Sequence, residues 1–255
     1  MTRNGQVVLI TGAGSGMGQL AARNMADAGA NIAALDIDEA GLAQTAEGRP
    51  GITPLPCDVT NASAVAAAAK QVETEIGPIE RVFAAAAIMP TGKLLDQDTA
   101  TVQRIMDINY GGVVHTVHAT LPAMLERGRG DLVLFASMAG WQPVLLLGAY
   151  NASKFAVVAF NEVLAHENRN RGVRFACVCP PVVATPLLDQ AKDAWPKIFD
   201  EMKPIDPQTV LDTIEKTLDD GSFWVFPGKT TRMGWRMRRW FPQLGWKQIH
   251  KIEGW

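Results

Sequence analysis

Short apolar runs alternate with longer segments of helical periodicity along most of the chain. The apolar runs are hydrophobic at nearly every position rather than at every second one, which is typical of parallel strands buried on both faces. They lie at residues 7–10, 31–35, 52–55, 81–85, 130–135, 173–179 and 223–226. Helical spacing covers residues 16–28, 63–76, 99–125 and 150–169. This order predicts an α/β fold, a doubly wound parallel sheet of about seven strands with helices on both faces.

The composition favours one folded domain. The 255 residues are 47% hydrophobic and 20% charged, enough to bury a full core. Neither a linker nor a repeat interrupts the pattern, so we expect a single domain over residues 1–227 and a separate tail over 228–255. The chain starts without the basic and apolar regions of a signal peptide, and no apolar stretch is long enough to span a bilayer, so a cytoplasmic protein is expected. A net charge of −2 argues against nucleic-acid binding.

Metal ligation is not expected. Cys57, Cys177 and Cys179 are odd in number and lie in or beside apolar runs, which fits reduced thiols in the cytosol. His115 and His118 are three apart on a predicted helix, but no third kind of ligand recurs near them. We interpret both histidines as part of a helix face.

A glycine-rich segment, residues 11–18, joins the first strand to the first helix. Residues without a Cβ allow a tight turn close to a pyrophosphate, and the free N–H groups of the helix N-terminus then bind it. Asp36 ends the second strand, where a carboxylate accepts hydrogen bonds from adenosine ribose hydroxyls and repels a 2′-phosphate. No Arg or Lys at Ala13, Ser15 or Ile37 offsets that repulsion. The segment therefore predicts a Rossmann fold that binds NAD rather than NADP, although a tight turn and a strand-end acid also occur as structural features alone.

Tyr150 and Lys154 are four apart at the start of a predicted helix, so the phenol and the ammonium share a face. A nearby cation lowers a phenol pKa by roughly 1–3 units, which makes the phenol useful as a general base. Ser137 follows a buried strand, at the sheet edge where open α/β folds bind ligands. The plainer interpretation is a packed tyrosine beside a surface lysine.

Together these residues resemble the short-chain dehydrogenase/reductase (SDR) family over residues 6 to about 227. The chain has Thr-Gly-x-x-x-Gly-x-Gly near its start, and Ser137 stands thirteen positions before Tyr-x-x-x-Lys. The resemblance implies that Ser137 hydrogen-bonds the substrate oxygen, Tyr150 is the general acid/base, and Lys154 tunes the tyrosine and holds the nicotinamide ribose. It also implies that Asn109, in an Asn-x-x-Gly setting, completes a proton relay through a water, and that the protein is a homodimer or homotetramer.

The same resemblance implies a set of cofactor contacts: Gly12, Gly14, Ser15, Gly16, Met17, Gly18, Asp36, Ile37, Cys57, Asp58, Val59, Ala85, Ala86, Tyr150, Lys154, Pro180, Val183 and Thr185. Two segments depart from the family pattern. Four alanines at 84–87 replace Asn-Asn-Ala-Gly, from which we expect altered stability or cofactor affinity rather than lost chemistry. Pro180-Pro181 replaces Pro-Gly and stiffens the backbone beside the nicotinamide.

The substrate is expected to be lipophilic. A lid over about residues 185–205 carries Leu187, Leu188, Trp195, Ile198, Phe199 and Met202. The pocket is expected to be closed on its other side by Trp141 and the run 144–147. Walls of this kind suit an apolar alcohol or ketone, although these side chains could equally pack on one another or on a partner subunit.

The tail, residues 228–255, holds seven Lys or Arg against one Glu, together with Trp235, Trp240, Trp246 and Trp255. On helical spacing Met233, Met237, Trp240 and Phe241 share a face, Arg232, Arg236 and Arg239 fall to one side, Arg238 lies beyond, and Pro242 ends the segment. A basic, aromatic amphipathic stretch is typical of peripheral membrane attachment. Contact with a neighbouring subunit is the alternative, because Trp, Met and Arg are also enriched at protein interfaces.

Three hypotheses for the function follow. The first is an NAD-dependent alcohol dehydrogenase or ketoreductase acting on CH–OH donors. The second is a catalytically silent NAD-binding sensor or scaffold, and the third is an NADPH-dependent biosynthetic ketoreductase, which Asp36 opposes. Substrate identity, direction and stereospecificity are not encoded in these patterns.

Overall fold

A computed structural model describes residues 4–191, 194–228 and 231–254. Its centre is one parallel sheet in the order β3-β2-β1-β4-β5-β6-β7. The seven strands are β1 (Val7–Thr11), β2 (Asn31–Asp36), β3 (Ile52–Pro56), β4 (Ile79–Ala84), β5 (Gly130–Phe135), β6 (Val173–Val178) and β7 (Trp224–Val225). The predicted doubly wound sheet is thereby confirmed. The strand order reverses between β1 and β4, which places a crevice at the carboxyl ends of these two strands.

The described helices are α1 (Gly16–Asp27), α2 (Glu39–Ala46), α3 (Ala62–Glu75), α4 (Thr99–Met106), α5 (Gly112–Arg127), α6 (Gly148–Glu167), α7 (Ile198–Glu201), α8 (Pro207–Asp219), α9 (Thr231–Trp240) and α10 (Pro242–Glu253). Helix α2 was not predicted. The helix expected over 99–125 is present as a continuous helical segment, in which a π-helical turn at Asp107–Gly111 separates α4 from α5.

The sheet is buried on both faces by two hydrophobic layers. Residues of α3, α5 and α6 pack on one face, and residues of α1, α2 and α8 pack on the other. Along β1 the side chains alternate between the layers, since Val7 and Leu9 join the first layer and Val8 and Ile10 the second. This explains why the strands are apolar at consecutive positions.

A charged network joins β4, β5 and β6 near the amino ends of the strands. Arg81 Nε donates to the Asp131 carboxylate at 2.8 Å, and Arg174 Nε donates to the same carboxylate at 2.6 Å. Arg81 also reaches Glu215 of α8 at 2.8 Å. Arg81 and Asp131 are both buried, so each neutralises charge that would otherwise be costly inside the protein.

The tail forms two helices that pack on the rest of the chain. Pro242 ends α9 as predicted, but it also occupies the first turn of α10, a position that proline favours. Trp235 of α9 packs in an aromatic cluster with Trp141, Trp224 and Phe226. Trp255 and Lys229 lie outside the described residues. Within the described ranges, every helix is too short or too polar to cross a bilayer.

Candidate active site

The carboxyl ends of the strands border a cavity of about 850 Å³. It extends from the glycine-rich turn after β1, past the ends of β4 and β5, to the segment that follows β6. Open α/β sheets bind ligands at this edge, and the volume lies in the range of small-molecule sites. We call the part of the cavity beside β1 and β2 the nucleotide end and the part beside β5 and α6 the reaction end, after the roles expected from the sequence.

Close backbone approach explains the glycine-rich turn. A Cβ on Gly12 would lie 2.7 Å from the Ala86 nitrogen, and Gly12 has a φ of 72°, which favours glycine. A Cβ on Gly18 would collide with the Gly12 carbonyl. The first residues of α1 line the cavity just beyond this turn, so its free N–H groups and dipole are available to an anionic group such as a pyrophosphate.

Asp36 is held at the nucleotide end by two backbone donors. The Gly14 N–H donates to its Oδ2 at 2.8 Å, and the Asp38 N–H donates to its Oδ1 at 3.0 Å. Two basic residues, Arg104 and Lys154, occur among the described residues that line the cavity. Lys154 belongs to the reaction end, and Arg104 lies near Asp58, whose pKa it helps to lower. The local charge at Asp36 is therefore negative.

The cavity brings together all but one of the cofactor contacts expected from the sequence. Its lining includes Gly12, Ser15, Gly16, Met17, Gly18, Asp36, Ile37, Cys57, Asp58, Val59, Ala85, Ala86, Tyr150, Lys154, Pro180, Val183 and Thr185. Gly14 is the exception, and its N–H donates to the Asp36 carboxylate. Hydrogen bonds from Thr60 lower the pKa of Asp58, and burial raises the pKa of the Cys57 thiol.

Ser137, Tyr150 and Lys154 meet at the reaction end of the cavity. Ser137 caps a short 3₁₀ turn after β5, where its Oγ accepts from the Ala139 N–H at 3.1 Å. Tyr150 and Lys154 lie in the first turns of α6, with Lys154 Nζ 5.6 Å from the centre of the tyrosine ring. The ammonium donates to the Phe135 carbonyl at 2.8 Å, which fixes it beneath the site.

Burial has the largest effect on the pKa values of Tyr150 and Lys154. It raises the pKa of Tyr150 to about 12, against a smaller lowering by its hydrogen bond with Ser137. It also lowers the pKa of Lys154 to about 8, against smaller raising effects of Cys177 and Cys179. For these protein groups alone, desolvation favours the neutral phenol more strongly than the hydrogen bond with Ser137 favours the phenolate. The expected lowering of the tyrosine pKa by the lysine stays a prediction.

Asn109 lies behind the cavity, in the π-helical turn, rather than among its lining residues. Its side chain accepts from the Ile88 N–H at 2.8 Å and donates to the Ile88 carbonyl at 2.9 Å. It also donates to Ser153 Oγ at 3.0 Å. The amide is thus engaged in joining the segment after β4 to α6, next to Lys154. π-Helical turns are frequent at functional sites.

Two expected substrate residues do not reach the cavity. Trp141 donates from its ring nitrogen to Cys179 Sγ at 3.4 Å and packs on Trp224. Trp195 is 43% exposed and donates to Asp200 at 2.8 Å. Ser137, Leu187 and Leu188 do line the cavity, as expected. Apolarity identified the correct loops, but it did not indicate which way each ring turns.

Leu147, Ile198, Phe199 and Met202 also line the cavity, as expected from the lid and the run that faces it. The sequence-based prediction missed four further lining residues: Met89, Met138, Gln142 and Gln190. The two glutamines add amide groups. Gln190 Oε1 already accepts from the Met89 N–H at 2.7 Å. Met138 and Gln142 follow Ser137 closely in sequence, which is the signal that would have indicated them.

The departures from the family pattern have local consequences. At the alanine run, the Ala86 N–H donates to Thr11 Oγ1 at 3.4 Å, so the last residue of β1 supports this segment. At the proline pair, the Pro180 carbonyl accepts from the Met138 N–H at 2.9 Å. That bond joins the segment after β6 to the turn that carries Ser137.

Comparison with known proteins gives a consistent result. The short chain dehydrogenase family matches residues 6–195. The 2-keto-3-deoxy-L-fuconate dehydrogenase of Xanthomonas campestris pv. campestris is 33% identical over 231 residues, which cover 86% of this chain and 75% of the relative. Human epidermal retinol dehydrogenase 2 is 31% identical over 231 residues, 88% of this chain and 74% of the relative. A short chain dehydrogenase/reductase from Burkholderia phymatum, solved in complex with NAD, is 28% identical with a TM-score of 0.83 over 96% of both chains.

Proposed function

This chain belongs to the short-chain dehydrogenase/reductase family of oxidoreductases, and we propose that it interconverts a lipophilic secondary alcohol and its ketone with NAD. The observation that carries the proposal is the meeting of Ser137, Tyr150 and Lys154 at one end of a cavity whose other end holds Asp36. This arrangement places a hydroxyl donor, a proton-transfer group and a cation around one volume.

The chain's own residues account for proton transfer and orientation. Ser137 holds the substrate oxygen by a hydrogen bond, and Tyr150 takes the proton from the alcohol or returns it to the ketone oxygen. A bound nicotinamide would accept or supply the hydride, and its positive charge when oxidised would favour the phenolate. Lys154, held by the Phe135 carbonyl, adds a second positive charge beneath the tyrosine. Asn109 supports the arrangement through Ile88 and Ser153.

The preference for NAD rests on Asp36. Its fixed carboxylate suits the two ribose hydroxyls of NAD and repels the 2′-phosphate of NADP. The neighbouring Ile37 is 68% exposed and carries no charge to offset that repulsion. The related structure solved with NAD supports the same preference. An NADPH-dependent ketoreductase is therefore the less favoured alternative.

The preference for a lipophilic substrate rests on the lining of the reaction end. Leu147, Leu187, Leu188 and Phe199 surround the volume beside Tyr150. Burying apolar substrate area there is favourable by roughly 25 cal/mol per Å². The similarity to epidermal retinol dehydrogenase 2, which is named for a lipophilic alcohol, points the same way. The similarity to a dehydrogenase of a keto-deoxy sugar acid makes polar alcohols necessary members of the test panel.

The organisation expected from the sequence forms part of the proposal. We assign the catalytic domain to residues 1–227 with a lid at about 185–205, and treat 228–255 as a tail. The three free, buried cysteines suit a reducing, cytoplasmic compartment. We further propose a homodimer or homotetramer that contacts a membrane only peripherally, through the tail.

The test is formation of NADH from NAD and a panel of secondary alcohols, graded from short and polar to large and lipophilic. We expect turnover to rise with lipophilicity, to be lower with NADP, and to fall about 10²–10⁴-fold in Tyr150→Phe because proton transfer is lost. The control is Tyr110→Phe, the same change at the other tyrosine, which packs on Phe160.

NAD binding, followed by quenching of tryptophan fluorescence, is measured alongside. NAD binding without turnover of any alcohol or ketone would favour the sensor or scaffold hypothesis. Faster turnover with NADPH than with NADH would favour the biosynthetic ketoreductase. Equal loss in both tyrosine variants would remove Tyr150 from the proposed chemistry.

A further inference from the structure

Helix α9 and the residue after it carry a ridge of exposed apolar side chains. Met233, Met237, Trp240 and Phe241 are 61%, 51%, 73% and 57% exposed, and Leu244 of α10 is 52% exposed. These five are nearly half of the large exposed hydrophobic side chains among the described residues. We call these five side chains the apolar ridge. A contiguous exposed patch of this kind indicates an interaction surface.

The opposite face of α9 anchors the helix to the protein. Thr231 is buried and its hydroxyl donates to the Pro227 carbonyl at 2.5 Å. Trp235 packs on Trp141, with ring centres 5.7 Å apart. Since residues four apart share a helix face, this buried face and the apolar ridge point in opposite directions. The ridge is therefore displayed by a packed helix and not by a loose end.

Basic side chains border the ridge. Arg232, Arg236 and Arg239 are exposed, and none of them pairs with a described acidic residue. Lys247 and Lys251 are exposed on α10. The chain as a whole has a net charge of −2, so this concentration of positive charge is local. Apolar and aromatic side chains flanked by cations match the interface of an anionic membrane, with aromatics at headgroup depth.

The tail also lies beside the reaction end of the cavity. Gly234 of α9 packs near Met138, and Gly245 of α10 packs near Gln142. The Glu253 carboxylate accepts from the Ile198 N–H at 3.1 Å. Met138, Gln142 and Ile198 all line the cavity. The helix that displays the ridge is thus in direct contact with the walls of the substrate site.

We propose that the apolar ridge and its arginines dock on an anionic lipid surface, and that the docked tail holds the reaction end of the cavity against the membrane so that a lipophilic substrate enters from the bilayer. This deepens the proposed function and rests on it for the nature of the substrate. The docking itself depends only on the ridge and the basic side chains.

The test is co-sedimentation of the purified chain with vesicles of phosphatidylcholine alone and of phosphatidylcholine with phosphatidylserine. We expect binding to the anionic vesicles and not to the neutral ones, and release at high salt because surface charges are screened. Two variants, Trp240→Ala/Phe241→Ala and Arg236→Glu/Arg239→Glu, should each weaken binding about ten-fold or more. Leu94→Ala/Leu95→Ala, which removes two exposed leucines elsewhere, is the control and should bind as the unmodified chain does.

Unfolding temperature and turnover of a short, water-soluble alcohol show whether each variant is folded, and both should be unchanged. With a lipophilic alcohol supplied in anionic vesicles, turnover should fall in the two tail variants and not in the control.

Absence of binding to either vesicle overturns the proposal. So does binding that the tail substitutions leave unaltered, or a change from oligomer to monomer in the tail variants, which would make the ridge an interface between copies. Vesicle binding without any turnover would leave the docking intact and contradict the proposed function instead.

Discussion

Lys154, which the proposed function places beneath the reacting tyrosine, is buried as a charged side chain and is therefore expected to reduce the stability of the fold. Its side chain is 2% exposed, and burial lowers its pKa from 10.5 to about 8. Its ammonium is held by one neutral acceptor, the Phe135 carbonyl, at 2.8 Å. A depressed lysine pKa means that the folded state binds the proton more weakly than the unfolded state does. Below about pH 8 both states are protonated, and the full cost of burying the charge is present.

We therefore expect Lys154→Met to raise the free energy of unfolding near neutral pH. One pKa unit corresponds to about 1.4 kcal/mol, so the gain should be about 1–3 kcal/mol after loss of the bond to Phe135. The gain should shrink as the pH rises from about 8 towards 10.5, because the unmodified protein is stabilised as its folded state releases the proton first. Urea unfolding at several pH values measures this, and turnover should be lost.

Lys70→Met, at an exposed position of α3, is the matched control and should leave stability within about 0.5 kcal/mol at each pH. A destabilised Lys154→Met at neutral pH, or a gain that does not vary with pH, would contradict the account.

The sequence predicts the placement of some side chains of the candidate site and not of others. Ser137, Tyr150 and Lys154 are fixed by where β5 ends and α6 begins, and spacing along the chain conveys that. The tryptophans depend on tertiary packing, because Trp141 turns towards Trp224 and Trp235, which lie far away in sequence. No local pattern encodes that choice.

Among the secondary-structure elements, strands were predicted best. Most strands are continuous buried runs, as β1, β2 and β5 are, so the local sequence indicates where they lie. The edge strand β3 is largely exposed, but its residues are still apolar at most positions. The π-helical turn at Asp107–Gly111 was missed because one extra residue per turn barely disturbs an apolar pattern. Helix α2 was missed because it is short and contains Gly41, an unfavourable helix residue.

The contact between α10 and α7 is an element-scale feature that the sequence did not indicate. Glu253 is 6% exposed, and its carboxylate accepts from the N–H groups of Lys197 and Ile198 at 3.2 and 3.1 Å. Lys197 Nζ also donates to the Glu253 carbonyl at 3.3 Å. These bonds tie α10 to the segment that we propose as a lid, where Ile198 and Phe199 line the cavity.

We expect Glu253→Gln to loosen the lid. Replacing a charged acceptor by a neutral one weakens these hydrogen bonds by roughly 1 kcal/mol, so KM for a large alcohol should rise about 3–10-fold with kcat little changed. KM for short alcohols, which do not reach the lid, should be unchanged. A general structural defect would instead change KM for short and large alcohols alike. Glu167→Gln, at the exposed end of α6, is the control. Equal changes in KM for short and large alcohols would contradict this role.

Across the whole molecule, the proposed active site and the main buried charge network lie at opposite ends of the sheet. The cavity lies at the carboxyl ends of the strands, and the Arg81–Asp131–Arg174 network lies near their amino ends. The sequence predicted the site at the carboxyl ends, because the glycines after the first strand, Ser137 after the fifth and Tyr150 at the start of the next helix indicate a ligand-binding site. It did not predict the charge network, because three charged residues in three separate strands come together only through the register of the sheet.

Asp131→Asn tests this separation. Asp131 is 3% exposed and is shared by Arg81 and Arg174. Removing its charge leaves the buried Arg81 guanidinium compensated by the partly exposed Glu215 and no longer by a buried carboxylate. Breaking a buried ion pair costs roughly 3–5 kcal/mol, and we expect the free energy of unfolding to fall by about 3 kcal/mol in urea titrations. Asp27→Asn, which breaks the exposed pair between Asp27 and Arg49, should cost about 1 kcal/mol or less. Because the network is remote from Tyr150, kcat per folded molecule should be the same in both variants and in the unmodified protein. A loss of kcat in Asp131→Asn at a temperature where it remains folded would show instead that the two ends of the sheet are coupled.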